Sequence, residues 1–311
     1  MGTGPFAVPS FQALLKSPNQ VIALVTRPIA DPGRRKDSAN PMRDAAVAAN
    51  IAVQSPANVN DSDFVAWLRE QHADLFVVCD YGQILSAECL STARLGGINL
   101  HGSLLPKYRG AAPVQWAVYH GDPVTGVSVI HMTPRLDAGP ILAKLETPIG
   151  PDETTESLEP RLAALGPKTV LTSLELLDGW DGVSELGERQ DTTHATLAPR
   201  LRKEQGLIDW SKSADQIRNQ IRAFNPWPGS YTNIPRDHGE PLRIIVHQSE
   251  IVVWPPGAQP GTVLDSSSSQ LVVACGVQAL GLLSVQPAGK RLMAIAEFLR
   301  GNPIVPSSQL H

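Results

Sequence analysis

Three polar residues carry the first question about this chain. Asn99 and His101 stand two apart in "GGINLHGSLLPKYRG", at the end of an apolar run, and Asp137 follows in the tight segment "RLDAG". In a strand, successive side chains alternate between faces, so Asn99 and His101 share one face while Leu100 takes the other. An amide and an imidazole aimed the same way can together polarise one carbonyl oxygen, and a carboxylate in a neighbouring loop can orient the imidazole. No Ser or Cys nucleophile accompanies them. That combination points to transfer onto an external nucleophile and away from a covalent enzyme intermediate. Each residue also has a plainer use: Asn99 as a partner for loop backbone, His101 as a buried structural histidine, Asp137 as the closing residue of an Asx-turn.

The surrounding elements must place these residues at the end of a sheet strand. The first half alternates β-rich apolar runs with amphipathic stretches, the pattern of βαβ units. Strands are predicted at "VIALVT" (21–26), "DLFVVC" (74–79) and "GGINLH" (96–101). Helices are predicted at "PSFQALLKS" and at "DSDFVAWLREQ", the second capped by Asp61 or Asp63, and another begins at Pro113. "GVSVIHM" (126–132) and "GPILAKLETPI" (139–149) read as two further strands, and a helical stretch runs from Thr154 to Leu177. Together these give a Rossmann-like α/β fold with a doubly wound, mostly parallel sheet, whose ligands bind outside the carboxyl ends of the strands. The "SLLP" loop offers backbone amides to a planar ligand. "GTGPF" has the Gly-rich look of a dinucleotide turn, but a single G-x-G reads more simply as a tight turn with Pro5 opening a helix.

The pattern weakens from Asp178 to Lys203, where Arg200, Arg202 and Lys203 cluster. Beyond it one amphipathic helix (213–224) is followed by short strands with Gly, Pro and Ser turns, as in a small antiparallel, OB-like β-barrel of roughly 100 residues. The expected division is a catalytic domain at 1–180, a linker at 181–203 and a C-terminal β-barrel domain at 204–311. A chain of 311 residues also exceeds the usual single-domain size of about 100 to 200 residues. The net charge of −4 makes no demand for nucleic acid. Cys79, Cys89 and Cys275 are far apart and lack metal-ligand spacing, as expected of reduced core thiols, and no metal is expected. With neither a membrane-length apolar run nor a signal-peptide pattern at the first residues, the chain is expected to be cytoplasmic. One segment is strongly basic: residues 26–43 hold five Lys and Arg, Arg34, Arg35 and Lys36 among them, against two Asp. By itself such a run is a solvated loop or a nucleic-acid contact.

The stretch from Asn99 through "HGSLLPKYRGAAPVQWAVYHGDPVTGVSVIHMTPRLDAGPIL" resembles the signature of the folate-dependent formyltransferases. "DYGQIL" (80–85), "KEQGLIDW" (203–210), "IRAFNPWPGSY" (221–231) and "LSVQPAGKR" (283–291) agree, and narrow the likeness to the branch that formylates methionyl-tRNA. The resemblance implies transfer of the formyl group of 10-formyltetrahydrofolate to the α-amino group of methionine on initiator tRNA, without a metal. It implies that Asn99 and His101 hydrogen-bond the tetrahedral oxyanion, with Asp137 holding His101 charged. It implies a folate pocket lined by Tyr81, Gly82, Gln83, Ile84 and Leu85, by Ser103, Leu104, Leu105 and Pro106, and by the "RLDAG" loop. Arg34, Arg35 and Lys36, with Arg202 and Lys203, become RNA-contact candidates. Residues 204–311 carry eight Lys and Arg against eight Asp and Glu, less basic than an RNA-holding module would suggest, leaving local clusters such as Arg218, Arg222, Lys290 and Arg291. The expected partners are initiator methionyl-tRNA and the folate cosubstrate, with no membrane, and the expected state is a monomer. A formyltransferase acting on a small amine, such as glycinamide ribonucleotide or an amino sugar, and a non-catalytic folate- or RNA-binding relic are the rival readings.

One further expectation concerns the beginning of the chain. In a doubly wound sheet the strand before the first Gly-rich turn lies at the centre, yet Met1 is followed at once by Gly2-Thr3-Gly4. A short run rich in Val, Ile and Leu is therefore expected upstream of Met1.

Overall fold

A computed structural model describes residues 1–28, 40–236, 239–267 and 269–311. The chain divides into two compact units. The first comprises Met1–Pro113, Val124–Pro148 and Leu158–Pro199. Pro5 opens a 3-10 turn, as the plain reading of "GTGPF" predicts, and this leads into α1 (Val8–Lys16), which buries Phe11 and Leu14 one turn apart. Next come β1 (Ala23–Val25), α2 (Pro41–Ala48), β2 (Ala52–Gln54), α3 (Ser62–Glu70), β3 (Phe76–Val78), α4 (Ala87–Leu90) and β4 (Gly97–His101). Asn40 caps α2 by accepting from the Arg43 amide at 3.0 Å. Asp61 occupies the N-cap of α3 but makes no capping bond, because its carboxylate accepts from the Asn58 side chain at 2.8 Å. After β5 (Arg109–Gly110) and α5 (Pro113–Tyr119), β6 (Val124–His131) and β7 (Ile141–Pro148) form a hairpin, and α6 (Thr155–Leu177) precedes β8 (Leu197–Ala198).

β1 pairs in parallel with β2, and β3 in parallel with β4. β6 then runs antiparallel to β4 and to β7, giving the order β3-β4-β6-β7. The parallel core is thus completed by an antiparallel hairpin, because the short β6–β7 loop permits no crossover helix. The helix α2 and strand β2 have no counterpart in the sequence reading: an Ala-rich helix and a three-residue strand leave too little hydrophobic contrast to register as a period.

The second unit comprises Val114–Pro123, Ile149–Ser157 and Arg200–His311. Its helix α7 (Ala214–Ala223) starts at a capping box in which the Ser213 side chain takes the Gln216 amide and Gln216 returns the bond. Strands β9 (Ser230–Ile234), β10 (Leu242–Val252), β11 (Val263–Asp265), β12 (Val272–Ala274) and β13 (Ala279–Pro287) form an antiparallel sheet in the order β11-β12-β13-β10-β9. β14 (Met293–Ala294) adds to β13 before the final helix α8 (Ile295–Gly301). Ile217 and Ile221 of α7 and Phe298 of α8 share one core with Val246, Leu280 and Val285 of the sheet. Among the described residues no helix is long and apolar enough to cross a membrane.

Candidate active site

β4 delivers the two polar residues. It is hydrogen-bonded on both sides, to β3 and to β6, and the neighbours Ile98 and Leu100 are buried at 0% and 3% exposure. That anchoring fixes the register, and with it which face Asn99 and His101 occupy. Both meet Asp137. Its Oδ1 accepts from Asn99 Nδ2 at 3.5 Å, its Oδ2 accepts from the Gly110 amide at 2.9 Å, and Oδ2 lies 3.7 Å from His101 Nδ1. The carboxylate's partners come from distant parts of the chain, so Asp137 does not serve as an Asx-turn residue. Its backbone nevertheless sits in the left-handed region at φ 47°, which turns the side chain inward from the β6–β7 loop. His101 and Asp137 side chains are 6% and 10% exposed, so little solvent screens the pair. On the opposite edge of the imidazole, Nε2 donates to the Tyr108 carbonyl at 2.8 Å. Each ring nitrogen of His101 therefore faces an acceptor.

The loop that supplies Tyr108 and Gly110 is held by residues from the segment read as a linker. Tyr108 donates its amide to Thr196 Oγ1 at 2.8 Å, and β5 pairs in parallel with β8. Gly110 has φ 130°, and a Cβ there would lie 2.5 Å from the Ala198 carbonyl oxygen, so only glycine lets its amide reach Asp137. Gln190 joins the two loops: Nε2 donates to the carbonyls of Asp137 at 2.9 Å and Gly139 at 2.7 Å, while Oε1 accepts from the Arg109 guanidinium at 3.1 and 2.7 Å. The sequence reading missed Gln190 and Thr196. A single Gln or Thr in a polar stretch carries no periodicity and no motif, so only the fold reveals their roles.

The stretches expected to line a pocket divide between outward and inward residues. Tyr81 and Leu85 pack into a core with Cys89 and Leu90, at 2% and 3% exposure, and burial pushes the Tyr81 hydroxyl pKa well above its ordinary value. Gln83 is tied to the chain before α3, accepting from the Val59 amide at 2.8 Å and donating to the Pro56 carbonyl at 3.3 Å. Ile84 is 72% exposed. Ahead of them, burial raises the Asp80 carboxyl pKa, opposed by Arg27 and by a hydrogen bond from the Gly4 amide. In the second stretch the Ser103 hydroxyl donates to the Lys107 carbonyl at 2.6 Å, and the Leu105 amide donates to Ser128 Oγ at 3.1 Å. The Leu105 amide is thus engaged by the fold, contrary to its expected use toward a ligand, and the Leu105 side chain packs with Ile130 and Ile141. Leu104 and Pro106 flank it in the same loop, where Pro106 accepts the Thr196 amide at 3.4 Å.

Among the basic candidates, Arg34, Arg35 and Lys36 lie outside the described residues. Arg202 and Lys203 are exposed, at the start of a 3-10 turn. Three of the four cations considered in the C-terminal half already have partners: Arg218 pairs with Asp152, Arg291 with Glu297 at 2.5 Å, and Arg222, only 9% exposed, donates to the carbonyls of Gly150 and Glu153. Lys290 is exposed. The three thiols are buried, and burial pushes Cys89 up to about 11 and Cys275 up to about 12. Among the described residues no group of three His, Cys, Asp or Glu could hold a metal.

Residues 1–174 match the formyl transferase family, and residues 200–303 match the C-terminal domain of formyl transferase. The chain belongs to the formyl transferase family. It is 42% identical to the methionyl-tRNA formyltransferase of Rhodopirellula baltica, over 100% of this chain and 95% of that protein. With the methionyl-tRNA formyltransferase of Myxococcus xanthus it shares 40% identity, over 99% of this chain and 96% of the relative. In fold it is similar to the N-formyltransferase from Helicobacter canadensis, solved in complex with folinic acid and dTDP-3-aminofucose, with a TM-score of 0.62 at 16% identity over 90% of this chain and 96% of that one.

Proposed function

We propose that this formyl transferase moves the formyl group of 10-formyltetrahydrofolate onto the α-amino group of methionyl initiator tRNA, with Asn99, His101 and Asp137 as its catalytic residues. The observation that carries the reading is the convergence of Asn99, His101 and the Gly110 amide on the buried Asp137 carboxylate. A free α-amino group has a reference pKa near 8, so a useful fraction is already the neutral nucleophile at about pH 7 and needs little activation. The harder task is the oxyanion that forms when nitrogen attacks the formyl carbon. Asn99 has a second amide hydrogen besides the one facing Asp137, and that hydrogen donates to the developing charge, while His101 adds a second donor by turning Nε2 from the Tyr108 carbonyl to the oxyanion. Asp137 orients His101 and helps to take up the proton that the attacking amine sheds. Collapse of the intermediate breaks the bond to the folate nitrogen, which leaves protonated.

The folate is read as lying across the loops 80–85, 103–106 and 135–139. Given the inward packing of Tyr81, Leu85 and Leu105, contacts there come chiefly from backbone, from Gly82 and from Ile84. Residues 1–180 are read as the catalytic domain and 204–311 as the RNA-holding module, with Arg34, Arg35, Lys36, Arg202 and Lys203 contributing cationic contacts to tRNA. The enzyme is read as a cytoplasmic monomer. The deciding assay offers 10-formyltetrahydrofolate with methionyl initiator tRNA, free methionine, glycinamide ribonucleotide or an amino sugar nucleotide in parallel. Formylation of the charged tRNA alone is expected. Preferential formylation of a small amine would assign the chain to the other branch, and no transfer at all would make it a binding protein.

A further inference from the structure

The stretch 188–198, between α6 and β8, is stitched to both sides of the proposed site, and all of the residues involved belong to the first unit. At its start, Glu188 and Ile141 exchange both backbone hydrogen bonds at 2.8 Å, which ties the stretch to the beginning of β7. At its end, the Thr196 carbonyl accepts the Arg109 amide at 2.9 Å and the Ala198 carbonyl accepts the Ala112 amide at 3.2 Å. Between these two anchors the Gln190 side chain reaches both the Asp137 loop and Arg109.

The Gln190 amide uses its full hydrogen-bonding capacity. Nε2 donates to the Asp137 carbonyl at 2.9 Å and to the Gly139 carbonyl at 2.7 Å, and Oε1 accepts from Nε and Nη2 of Arg109 at 3.1 and 2.7 Å. Turning the amide over would set its NH2 against the guanidinium and its oxygen against two carbonyls, so Arg109 fixes which way the donors point. The turn that receives them needs holding. Asp137 has φ 47°, a conformation that a residue other than glycine keeps only where its surroundings enforce it. A side chain at Gly139 would run into the His131 carbonyl, so the turn also packs without slack against the end of β6. Among the described residues no other group donates to the Asp137 or Gly139 carbonyl.

We infer that Gln190 is a positioning residue for the formyl transfer proposed above, an inference that rests on that reading: by holding the backbone of the Asp137 turn, it aims the Asp137 carboxylate at the Gly110 amide and at His101. Those separations are 2.9 Å to the Gly110 nitrogen and 3.7 Å to His101 Nδ1, and each depends on where the turn sits. Gln190 acts only through Asp137, so its effect falls on the rate of transfer and not on the binding of tRNA. A displacement of about 1 Å in a catalytic group costs up to about 10² in rate.

Two substitutions separate the bonds. Gln190→Met keeps the length of the side chain and removes all four, whereas Gln190→Glu keeps the acceptor for Arg109 and turns a carboxylate oxygen toward the two carbonyls. Single-turnover formyl transfer to methionyl initiator tRNA, at saturating 10-formyltetrahydrofolate, is measured for the parent, for both variants, for Asp137→Asn and for each variant combined with Asp137→Asn. Each Gln190 variant is expected to lose about 10- to 100-fold in rate, with KM for tRNA within about threefold. In the Asp137→Asn background the same substitution is expected to cost no more than about threefold, because the group being positioned is already lost. Amide exchange at Gly110 is expected to quicken by about tenfold in both variants, since its acceptor has moved. If Gln190→Met does not fold, Gln190→Glu decides by the same measurements. The inference is overturned, with the reading of Asp137 left standing, by rates per folded protein within about threefold of the parent or by losses that add fully to that of Asp137→Asn. A Glu variant that matches the parent while the Met variant fails would overturn it too, since Gln190 would then serve only to hold Arg109. Turnover of Asp137→Asn within about threefold of the parent would overturn both.

Discussion

Replacing Asp137 by Asn tests the centre of the site with the smallest change in shape. The carboxylate now receives three groups: the Gly110 amide at 2.9 Å and Asn99 Nδ2 at 3.5 Å as donors, and His101 Nδ1 at 3.7 Å as a neighbour. An amide has one acceptor oxygen. Placed at the Oδ2 position, it keeps the shorter bond to Gly110 but turns its NH2 toward the NH2 of Asn99. Placed the other way, it sets NH2 against the Gly110 N–H at the shorter separation, which is worse. The first orientation wins and loses only the long bond, so the folding cost falls at the low end of the range for an unsatisfied buried group, about 1 kcal/mol. Catalysis loses more. His101 no longer has an anion beside Nδ1, and Asn99 is pushed from its place, so the loss approaches that of an oxyanion donor, about 2.7 to 4 kcal/mol, or 10² to 10³ in turnover. Urea unfolding measures the folding cost and single-turnover formyl transfer at saturating folate the catalytic loss, with folate binding expected to stay within about tenfold. Turnover within threefold of the parent, or an activity loss no larger than the loss of folded protein, would refute the assigned role.

Alanine at His101 should likewise abolish most turnover while leaving folate affinity within about tenfold, because the ring acts on the transition state; a loss confined to folate affinity contradicts this. Gly110→Ala places a Cβ 2.5 Å from the Ala198 carbonyl oxygen at φ 130°, so calorimetry should show a loss of about 1 to 3 kcal/mol along with lower activity. Burial lowers the pKa of the Met1 amino group to about 6, only partly offset by Cys79. The unfolded chain therefore binds a proton between pH 6 and 8 that the folded chain does not, and stability should rise across that window by at most about 3 kcal/mol. Urea midpoints at the two pH values check this, and acetylating Met1 should flatten the rise. Replacing Arg34, Arg35 and Lys36 together by Ala should raise the Michaelis constant for tRNA and reduce its salt slope by about two to three charges' worth; an unchanged slope would make the segment ordinary surface.

Sequence alone determined the parts governed by local period and short-range spacing. The alternation of "GGINLH" put Asn99 and His101 on one face, and anchoring of β4 on both edges keeps them there. The change of pattern after Lys203 announced an antiparallel second unit, because short strands with frequent turns cannot form crossovers. Tertiary structure decided everything that depends on residues distant in sequence. It turned Asp137 toward Gly110 and Asn99 in place of its own turn, and it brought Gln190 and Thr196 under the loops that carry the site. It also turned Leu105 and Tyr81 inward although their motifs suggest ligand contact. Periodicity reports which side of an element is apolar, whereas the direction of a loop is set by which distant carbonyls and amides need partners.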